Sequence, residues 1–358
     1  MPRTMKAAYY LGPGRMEVRE VPRPECRPGE MVLQVRACAI CGTDVRIFHA
    51  GQKNVVPPAI IGHEIAGIID EIGAGVSGYE VGQHVTLVTP VGCGRCRFCR
   101  QGVHNLCVDF RAFGYQFPGG FAQYMPVNAT GVAQGNVLVI PDTTPFAEAA
   151  LIEPLSCCVN GQEYLNVQLG DTVVIFGAGP IGLMHAELAR SRGATRLILA
   201  DPAPERLEMA RARGLADCYV AADREEVVPA IMRETADFGA DVVIVACSAP
   251  QAQEQALSVA AKRGRISFFA GLSRERATIA FDSNLLHYRE LSVFGAFASH
   301  ATQYLTAAAL IATRRVDARK FITRILPLEQ LPEALAGAKS GHDLKMVVDP
   351  WADAGPRV

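Results

Sequence analysis

The sequence lacks several features that would indicate particular classes of protein. It has no run of 18 uncharged apolar residues, so no membrane-spanning helix is expected. Its formal net charge is −1, from 35 basic and 36 acidic residues, which argues against the concentrated basic surface that binds nucleic acids or acidic membranes. The first six residues contain no apolar signal core. These absences predict a cytoplasmic protein with a small-molecule substrate and without nucleic-acid or membrane partners.

Tryptophan is also scarce, with a single residue. Cysteine, in contrast, is well represented, with eleven residues. In a reducing cytosol, clustered cysteines indicate metal ligands or catalytic groups and not disulfides. Four of them fall between Cys93 and Cys107, and Cys41 lies in a glycine-containing turn. The other six lie in mostly apolar stretches, where a buried thiol is expected.

The length of 358 residues exceeds one ordinary core, so two domains are expected. Residues 1–140 form an all-β region in this interpretation, because short β-branched runs alternate with Gly and Pro. A helix is predicted from Phe146 to Leu165. Beyond it, apolar runs alternate with helices up to Gly295, which predicts an α/β doubly wound parallel sheet. A helix at about 301–315 and a strand at Leu344–Val348 are predicted to end the chain.

A glycine-rich turn follows the first apolar run of this second region. The turn, a G-x-G-x-x-G sequence, contains Gly177, Gly179, Pro180, Ile181 and Gly182. Asp201 ends the next predicted strand, 19 residues after Gly182. This context matches a dinucleotide fingerprint, in which glycines allow the backbone to approach the pyrophosphate and the acid binds the ribose hydroxyls. The acid favours NAD over NADP, although Arg206 could accommodate a 2′-phosphate.

Four cysteines follow the spacing C-x2-C-x2-C-x7-C: Cys93, Cys96, Cys99 and Cys107. Four thiolates this close suit tetrahedral zinc and leave no open position for a substrate, so the sequence predicts a structural zinc site. An iron–sulfur cluster is compatible with the same ligands. Hydride transfer to NAD needs no such carrier.

A second set of candidate ligands is spread over three segments. Cys41 precedes Gly42-Thr43, the pair His63-Glu64 follows Gly62, and Glu153 precedes Pro154. A Cys/His/carboxylate set suits zinc with one position kept for water or substrate. These residues are therefore candidates for a catalytic zinc site. Each of them also has an ordinary structural explanation: Cys41 as a buried thiol, His63 as a turn histidine and Glu153 as a charge on a helix face.

These motifs together resemble the zinc-dependent medium-chain dehydrogenase/reductase superfamily. The resemblance rests on the Gly62-His63-Glu64 run with Gly67, Gly73 and Val76, the cysteine loop, and the glycine-rich turn. It implies a GroES-like catalytic β-domain over 1–156 and 297–358, with an inserted Rossmann NAD-binding domain over 157–296. It also implies that Gly271 and Phe297 contact the cofactor, and that the enzyme is a homodimer or homotetramer.

Within the superfamily the chain most resembles the sorbitol (polyol) dehydrogenase branch, through Glu153 where simple alcohol dehydrogenases place a cysteine. The resemblance implies that Cys41, His63 and either Glu64 or Glu153 surround the catalytic zinc, with the other carboxylate reached through water. Polyol dehydrogenases carry an Arg-Tyr pair after a Gly-x-Phe sequence, but this chain has Ala298-Ser299 there. Ser299 or His300 could replace the pair, or this segment could be a solvated loop.

The resemblance also implies a proton relay that begins at the Thr43 hydroxyl. Many relatives place a histidine five residues after the zinc cysteine, but this chain has Arg46, which stays protonated at neutral pH. The relay is therefore predicted to end in water or at His49.

The expected reaction is hydride transfer from a secondary alcohol, most simply a polyol, to NAD. Alternatives within the enzyme class are a threonine-type 3-hydroxy amino acid dehydrogenase and a cyclitol or aminocyclitol dehydrogenase. A non-catalytic nucleotide-binding relative is the alternative from another class. Such relatives usually lose zinc ligands, whereas this chain retains a full set.

Overall fold

The computed structural model describes residues 4–338 and 343–353. The chain divides into two compact units, one of Met1–Ser156 with Ser299–Val358 and one of Cys157–Ala298. Of the first predicted domain, residues 1–3, 339–342 and 354–358 lie outside the described residues. We call the first the β unit and the second the nucleotide unit. Among the described residues, no helix combines the length and apolarity needed to cross a membrane.

Strands and helices are numbered in chain order. The strands within the described residues are β1 (Thr4–Gly12), β2 (Arg15–Pro22), β3 (Met31–Ala39), β4 (Glu64–Ile72), β5 (His84–Leu87), β6 (Pro90–Val91), β7 (Arg111–Ala112), β8 (Tyr124–Val127), β9 (Val137–Val139), β10 (Thr172–Phe176), β11 (Arg196–Asp201), β12 (Cys218–Ala221), β13 (Ala240–Val245), β14 (Ala260–Phe268), β15 (Ser292–Gly295), β16 (Ile322–Pro327) and β17 (Lys345–Asp349). The α-helices within the same residues are α1 (Gly42–Ala50), α2 (Arg97–Arg100), α3 (Ala129–Ala133), α4 (Phe146–Ala149), α5 (Ile152–Leu165), α6 (Pro180–Arg192), α7 (Pro204–Ala212), α8 (Val227–Glu234), α9 (Pro250–Val259), α10 (Ser283–Tyr288), α11 (Ala301–Ala312) and α12 (Leu331–Gly337).

The β unit is built on a sheet that, among the described residues, has seven strands in the order β16-β17-β3-β4-β5-β9, with β8 also paired to β3. Strands β3 and β4 run antiparallel, and Ala39 at the end of β3 lies opposite Glu64 at the start of β4. Apolar side chains from both strands, including Leu33, Val35 and Ile69, are buried in the core of this unit. The register therefore brings the residues just after β3 beside those just before β4.

The nucleotide unit contains a parallel sheet in the order β12-β11-β10-β13-β14-β15. Strand β10 lies between β11 and β13, and both pairings are parallel. The apolar runs of β10 and β13 are buried, as expected for central parallel strands with helices on both faces. Chain order reverses beside β10, so the carboxyl ends of β10 and β13 form the switch point where such sheets bind ligands.

The prediction that residues 1–140 are all-β is incomplete, because α1 lies within them. The backbone N–H of Cys41 donates to the Asp44 carboxylate, which closes a capping box, and the helix ends at Gly51 with φ 72°. Nine residues give too few turns for a periodic apolar pattern. The helix predicted from Phe146 to Leu165 is also interrupted, between Ala149 and Ile152.

Candidate active site

Three of the predicted metal ligands converge in the β unit. Cys41 precedes α1, His63 immediately precedes β4, and Glu64 begins β4. The register of β3 with β4 therefore brings the three together. One ligand atom from each of the three lies within 4.8 Å of the other two. His63 and Glu64 are buried, with 4% and 0% exposure, and Cys41 is partly exposed. This donor set fits zinc, which takes sulfur, nitrogen and oxygen ligands in a compact shell.

Asp44 supports this group, and the sequence analysis did not identify it. Its Oδ2 accepts the backbone N–H of Cys41 at 2.9 Å, and its Oδ1 lies 3.4 Å from Nδ1 of His63. Neither Oδ1 nor Nδ1 has a hydrogen-bond partner among the residues that the structure describes. A carboxylate on one imidazole nitrogen orients the other toward a metal, so this pair fits the metal ligand role of His63. A signal was present in the Cys-x-x-Asp spacing, which matches a capping box.

Lys345 is a second residue that the sequence analysis missed. Its Nζ donates to both carboxylate oxygens of Glu64, at 2.6 Å for Oε2, and to the backbone carbonyl of Ile40 at 3.2 Å. Burial disfavours the charged ammonium, but the carboxylate of Glu64 outweighs it and the pKa of Lys345 is raised. A charged residue inside the apolar strand β17 was the available signal, because a buried charge requires a partner.

Glu153, the remaining candidate ligand, lies in the first turn of α5 and is buried. It is outside the group of three donor atoms within 4.8 Å. Burial, opposed by the nearby His63 and Lys345 and reinforced by the charge of Glu64, raises the pKa of its carboxyl to about 7. Glu153 therefore shares the electrostatic environment of the metal ligands without belonging to their tight cluster.

Tyr115 is a third residue that the motifs did not reveal. Its ring lies beside the imidazole of His63, with the ring centroids 5.2 Å apart and the planes tilted by 40°. Burial raises the pKa of the phenol, so the group is neutral at physiological pH and can donate or accept a hydrogen bond. In the sequence, Tyr115 is marked only by the glycine-containing turn Phe113-Gly114-Tyr115. This turn resembles many other loops and does not by itself indicate a functional residue.

The predicted relay residues all lie on α1. Thr43 is half-buried in its first turn, two residues after Cys41. Arg46 is exposed, and its Nη2 donates to Oε1 of Gln52 at 3.0 Å. Nε2 of His49 is buried and has no hydrogen-bond partner within the described part of the chain.

The four cysteines of the loop also converge, with their Sγ atoms within 4.8 Å of one another. Backbone N–H groups point at the sulfurs: those of Cys93 and Asp109 donate to Sγ of Cys107, at 3.1 and 3.3 Å. The backbone N–H groups of Cys99 and Val108 lower the pKa of the Cys96 thiol to about 6. Amide donors of this kind stabilise thiolates, which are the form that binds zinc.

The glycine-rich turn lies where the fingerprint predicts, between β10 and α6. A Cβ on Gly182 would lie 1.8 Å from the carbonyl oxygen of Gly177, so a larger residue cannot fit there. Asp201 ends β11 and is buried, and its Oδ2 accepts the backbone N–H of Ala178 at 2.7 Å. Its Oδ1 accepts the backbone N–H of Ala203 at 2.8 Å. The predicted ribose-binding acid and the predicted pyrophosphate turn are thus directly connected.

The other cofactor candidates lie farther from this turn. Arg206 is half-buried on α7, and Gly271 lies in an exposed loop after β14. Phe297 follows β15 and is 58% exposed. Both loops leave the carboxyl edge of the parallel sheet, the same edge as the glycine turn.

The segment that replaces the Arg-Tyr pair is ordered by its own contacts. Ser299 is buried, and its Oγ lies 2.6 Å from Oγ of Ser156. His300 precedes α11, and its backbone N–H donates to Oε1 of Gln303 at 2.9 Å. Ser299 is therefore not part of a solvated loop, and His300 caps a helix.

Two zinc donor sets in a β unit, and a dinucleotide fingerprint in a parallel-sheet unit, define a zinc-dependent, nicotinamide dinucleotide-linked dehydrogenase. Comparisons with protein families agree. Residues 27–141 match the alcohol dehydrogenase GroES-like domain, and residues 180–313 match the zinc-binding dehydrogenase family. The chain belongs to the zinc-dependent medium-chain dehydrogenase/reductase superfamily, as its motifs predict.

Individual relatives cover nearly the whole chain. An L-threonine 3-dehydrogenase of Pyrococcus horikoshii is 34% identical over 97% of this chain and 99% of its own. A sorbitol dehydrogenase of Bacillus subtilis is 31% identical over 98% of each chain. Among solved structures, a zinc-binding dehydrogenase from Sinorhizobium meliloti 1021, determined with NADP bound, has a TM-score of 0.90 and 32% identity over 98% of this chain and 100% of its own. These relatives confirm the fold and the enzyme class, and they differ in substrate.

Proposed function

We propose that the protein transfers hydride from a secondary alcohol, specifically a polyol, to NAD. The convergence of Cys41, His63 and Glu64 within 4.8 Å carries the proposal, because it retains a complete donor set for a catalytic zinc. When bound, zinc lowers the pKa of a substrate hydroxyl, and the nicotinamide accepts the hydride. The loop cysteines hold the structural zinc in this proposal.

The surrounding residues fix the ligands in place. Asp44 binds the backbone of Cys41 and faces His63, so it holds two of the three donors in one arrangement. Lys345 neutralises Glu64 and limits how far that carboxylate can turn. We assign Glu64 to the ligand shell, because its oxygen lies in the tight group, and Glu153 to a position reached through water.

The proton of the substrate hydroxyl passes to Thr43 in this proposal. Arg46 cannot continue the relay, because its guanidinium stays protonated and donates to Gln52. The relay then ends in water or at His49, whose Nε2 is buried on the same helix. An Arg46→His variant is expected to change the pH–rate profile. An unchanged profile would contradict the placement of Arg46 at the relay position.

NAD is the proposed cofactor because Asp201 presents a fixed negative charge where NADP carries its 2′-phosphate. The NADP bound to the Sinorhizobium meliloti relative and the presence of Arg206 in this chain make the opposite preference worth testing. We also propose a cytoplasmic homodimer or homotetramer, with domain boundaries at 156/157 and 296/297. The clustering of Cys41 and of the four loop cysteines with other metal-ligating side chains supports a reducing compartment.

A threonine-type 3-hydroxy amino acid dehydrogenase is the second candidate, favoured by the 34% identity to the Pyrococcus horikoshii enzyme. Its substrate carries an ammonium and a carboxylate, which require counter-charges when desolvated. Arg46 and His49 are the sequence candidates for these counter-charges. Arg46 is exposed and donates to Gln52, and His49 is half-buried.

The test is a panel of sorbitol, xylitol, L-threonine, 2,3-butanediol and inositols with NAD and with NADP, followed through absorbance of the reduced nicotinamide. Zinc content is measured on the same preparation. Two zincs per chain and turnover of a polyol with NAD are expected. L-threonine as the preferred substrate would replace the polyol proposal, and a chain without zinc would overturn the scheme.

A further inference from the structure

The β unit contains a cleft of about 350 Å³ that is lined in part by Tyr115. Its polar lining side chains are Tyr9, Asn54, Tyr115 and Gln116. The other lining residues are apolar, for example Val56 and Ile60, and no formally charged side chain lines it among the described residues. The cleft therefore offers neutral hydrogen-bonding groups on an apolar wall.

Tyr115 connects this cleft to the metal site, because its ring also contacts His63. The turn that carries it is fixed by its backbone. Gly114 has φ +80°, and a Cβ there would lie 2.7 Å from the carbonyl oxygen of Gly62 and 3.0 Å from Cβ of His63. The turn thus packs directly against the backbone of Gly62 and the Cβ of His63, and this contact fixes the Tyr115 ring beside the imidazole.

Asn54 presents a second neutral group to the cleft. Nε2 of Gln52 donates to Oδ1 of Asn54 at 2.7 Å, and Arg46 in turn donates to Oε1 of Gln52 at 3.0 Å. With its oxygen engaged, the Asn54 amide has its N–H groups left to donate. The side chain of Gln52 therefore lies between the guanidinium of Arg46 and the Asn54 amide that lines the cleft.

A phenol and an amide match hydroxyl groups, which both donate and accept hydrogen bonds. A carboxylate or an ammonium would lose its hydration in this cleft without a counter-charge, which is costly. The apolar wall suits the carbon chain of the same molecule. The chemistry of the lining therefore favours a chain of neutral hydroxyl-bearing carbons.

We propose that Tyr115 is the specificity-determining residue of this enzyme, and that its phenol binds a hydroxyl on the non-reacting carbon chain of an uncharged polyol in this cleft. The proposal rests on the proposed function and deepens it. It assigns the polyol preference to a hydrogen bond made away from the zinc, by a residue outside the superfamily motifs of this chain.

The test compares Tyr115→Phe with the unchanged enzyme, both zinc-loaded, on xylitol and on 2-pentanol. Both substrates have five carbons, but 2-pentanol lacks the additional hydroxyls. Tyr115→Phe is expected to lower kcat/KM for xylitol about tenfold, chiefly through KM, because one hydrogen bond is lost. The value for 2-pentanol should change by less than about twofold, since only the ring contact matters for it.

Tyr79→Phe is the matched control. Tyr79 lies in the same unit and outside the lining of the cleft, and its hydroxyl donates to the carbonyl of Val137 at 3.0 Å. Loss of that hydroxyl should leave the ratio between xylitol and 2-pentanol unchanged. Equal losses on both substrates in Tyr115→Phe would indicate a purely structural role and overturn the inference, as would no change on either.

A binding measurement separates this inference from the proposed function. The Kd of xylitol for the zinc-loaded protein with NADH is measured by saturation-transfer NMR in both proteins. Failure of the unchanged enzyme to oxidise either alcohol would refute the proposed function alone. A Kd that rises about tenfold in Tyr115→Phe supports the cleft assignment, and an equal Kd in the two proteins overturns it.

Discussion

His185 gives the nucleotide unit a titratable group whose effect on stability can be worked out from the structure. It lies on α6, is fully buried, and packs edge-on against Phe269 with ring centroids 4.5 Å apart. Its Nδ1 lies 3.2 Å from Nε2 of Gln162, and its Nε2 has no hydrogen-bond partner among the described residues. Burial without a compensating charge lowers the pKa of the imidazole to about 3.

The sign of the pH dependence follows from this lowered pKa. Above the unfolded value of about 6.5 the imidazole is neutral in both states, so the folded state incurs no cost. As the pH falls below 6.5, the unfolded chain binds a proton that the folded chain cannot, and the free energy of unfolding decreases. The unfolded state gains about 1.4 kcal/mol per pH unit, so about 2 kcal/mol is lost between pH 7.5 and 5.

His185→Gln is expected to remove this component of the pH dependence. Urea unfolding followed by far-UV circular dichroism from pH 5 to 8 measures it as the difference between variant and unchanged protein. His287→Gln is the control, because His287 is exposed on α10 of the same unit. Parallel curves for the unchanged protein and His185→Gln would refute the reasoning. An NMR titration showing His185 protonated at pH 6 would do the same.

Three further perturbations follow from the sites. Cys96→Ser and Cys41→Ser should each reduce the zinc content from two to one per chain. Only Cys96→Ser should retain the catalytic ion. Two zincs per chain in either variant would contradict the assignment of these cysteines. Asp201→Asn should lower the preference for NAD over NADP, measured as kcat/KM, by roughly 10- to 100-fold, because a charged hydrogen-bond acceptor is lost; an unchanged preference would remove the basis for NAD. In the zinc-free protein, Lys345→Met should destabilise the fold by about 3–5 kcal/mol, because it leaves the carboxylate of Glu64 buried and unpaired. The double variant with Glu64→Leu should recover most of that loss in chemical unfolding of the zinc-free protein.

The features that could be predicted from the sequence are those encoded by close spacing. The cysteine loop is one continuous segment whose spacing indicated its chemistry. The glycine-rich turn needed in addition its predicted strand and Asp201, which lie close to it in the sequence. Cys41 and His63 lie farther apart in the sequence. The resemblance to a known family indicated that they share a site, and the register of β3 with β4 places them together in the structure. The class of fold followed from the change in apolar pattern near Phe146.

The supporting residues of the site could not be predicted in the same way. Lys345 and Glu64 are 281 residues apart, and no local pattern indicates that β17 enters the sheet beside β3. Tyr115 depends on the packing of a glycine turn against the backbone of Gly62, which is a tertiary contact. The motifs thus identified the candidate metal ligands. Lys345 and Tyr115, which surround those ligands, could be identified only from the structure.

The buried charges around the metal ligands explain why these supporting residues matter. Asp44, Glu64 and Glu153 place three carboxyl groups in one buried region with the Cys41 thiol, and Lys345 supplies one positive charge. With all four acidic groups ionised, the region would carry a net negative charge that burial strongly disfavours. Burial, together with the charge of Glu64, raises the pKa of Glu153 to about 7, which favours a protonated carboxyl there. A divalent cation offers a second way, because it offsets two of these charges directly. Removal of the metal is therefore expected to lower the stability of the β unit, because the same acidic groups that hold the metal would be left without its charge.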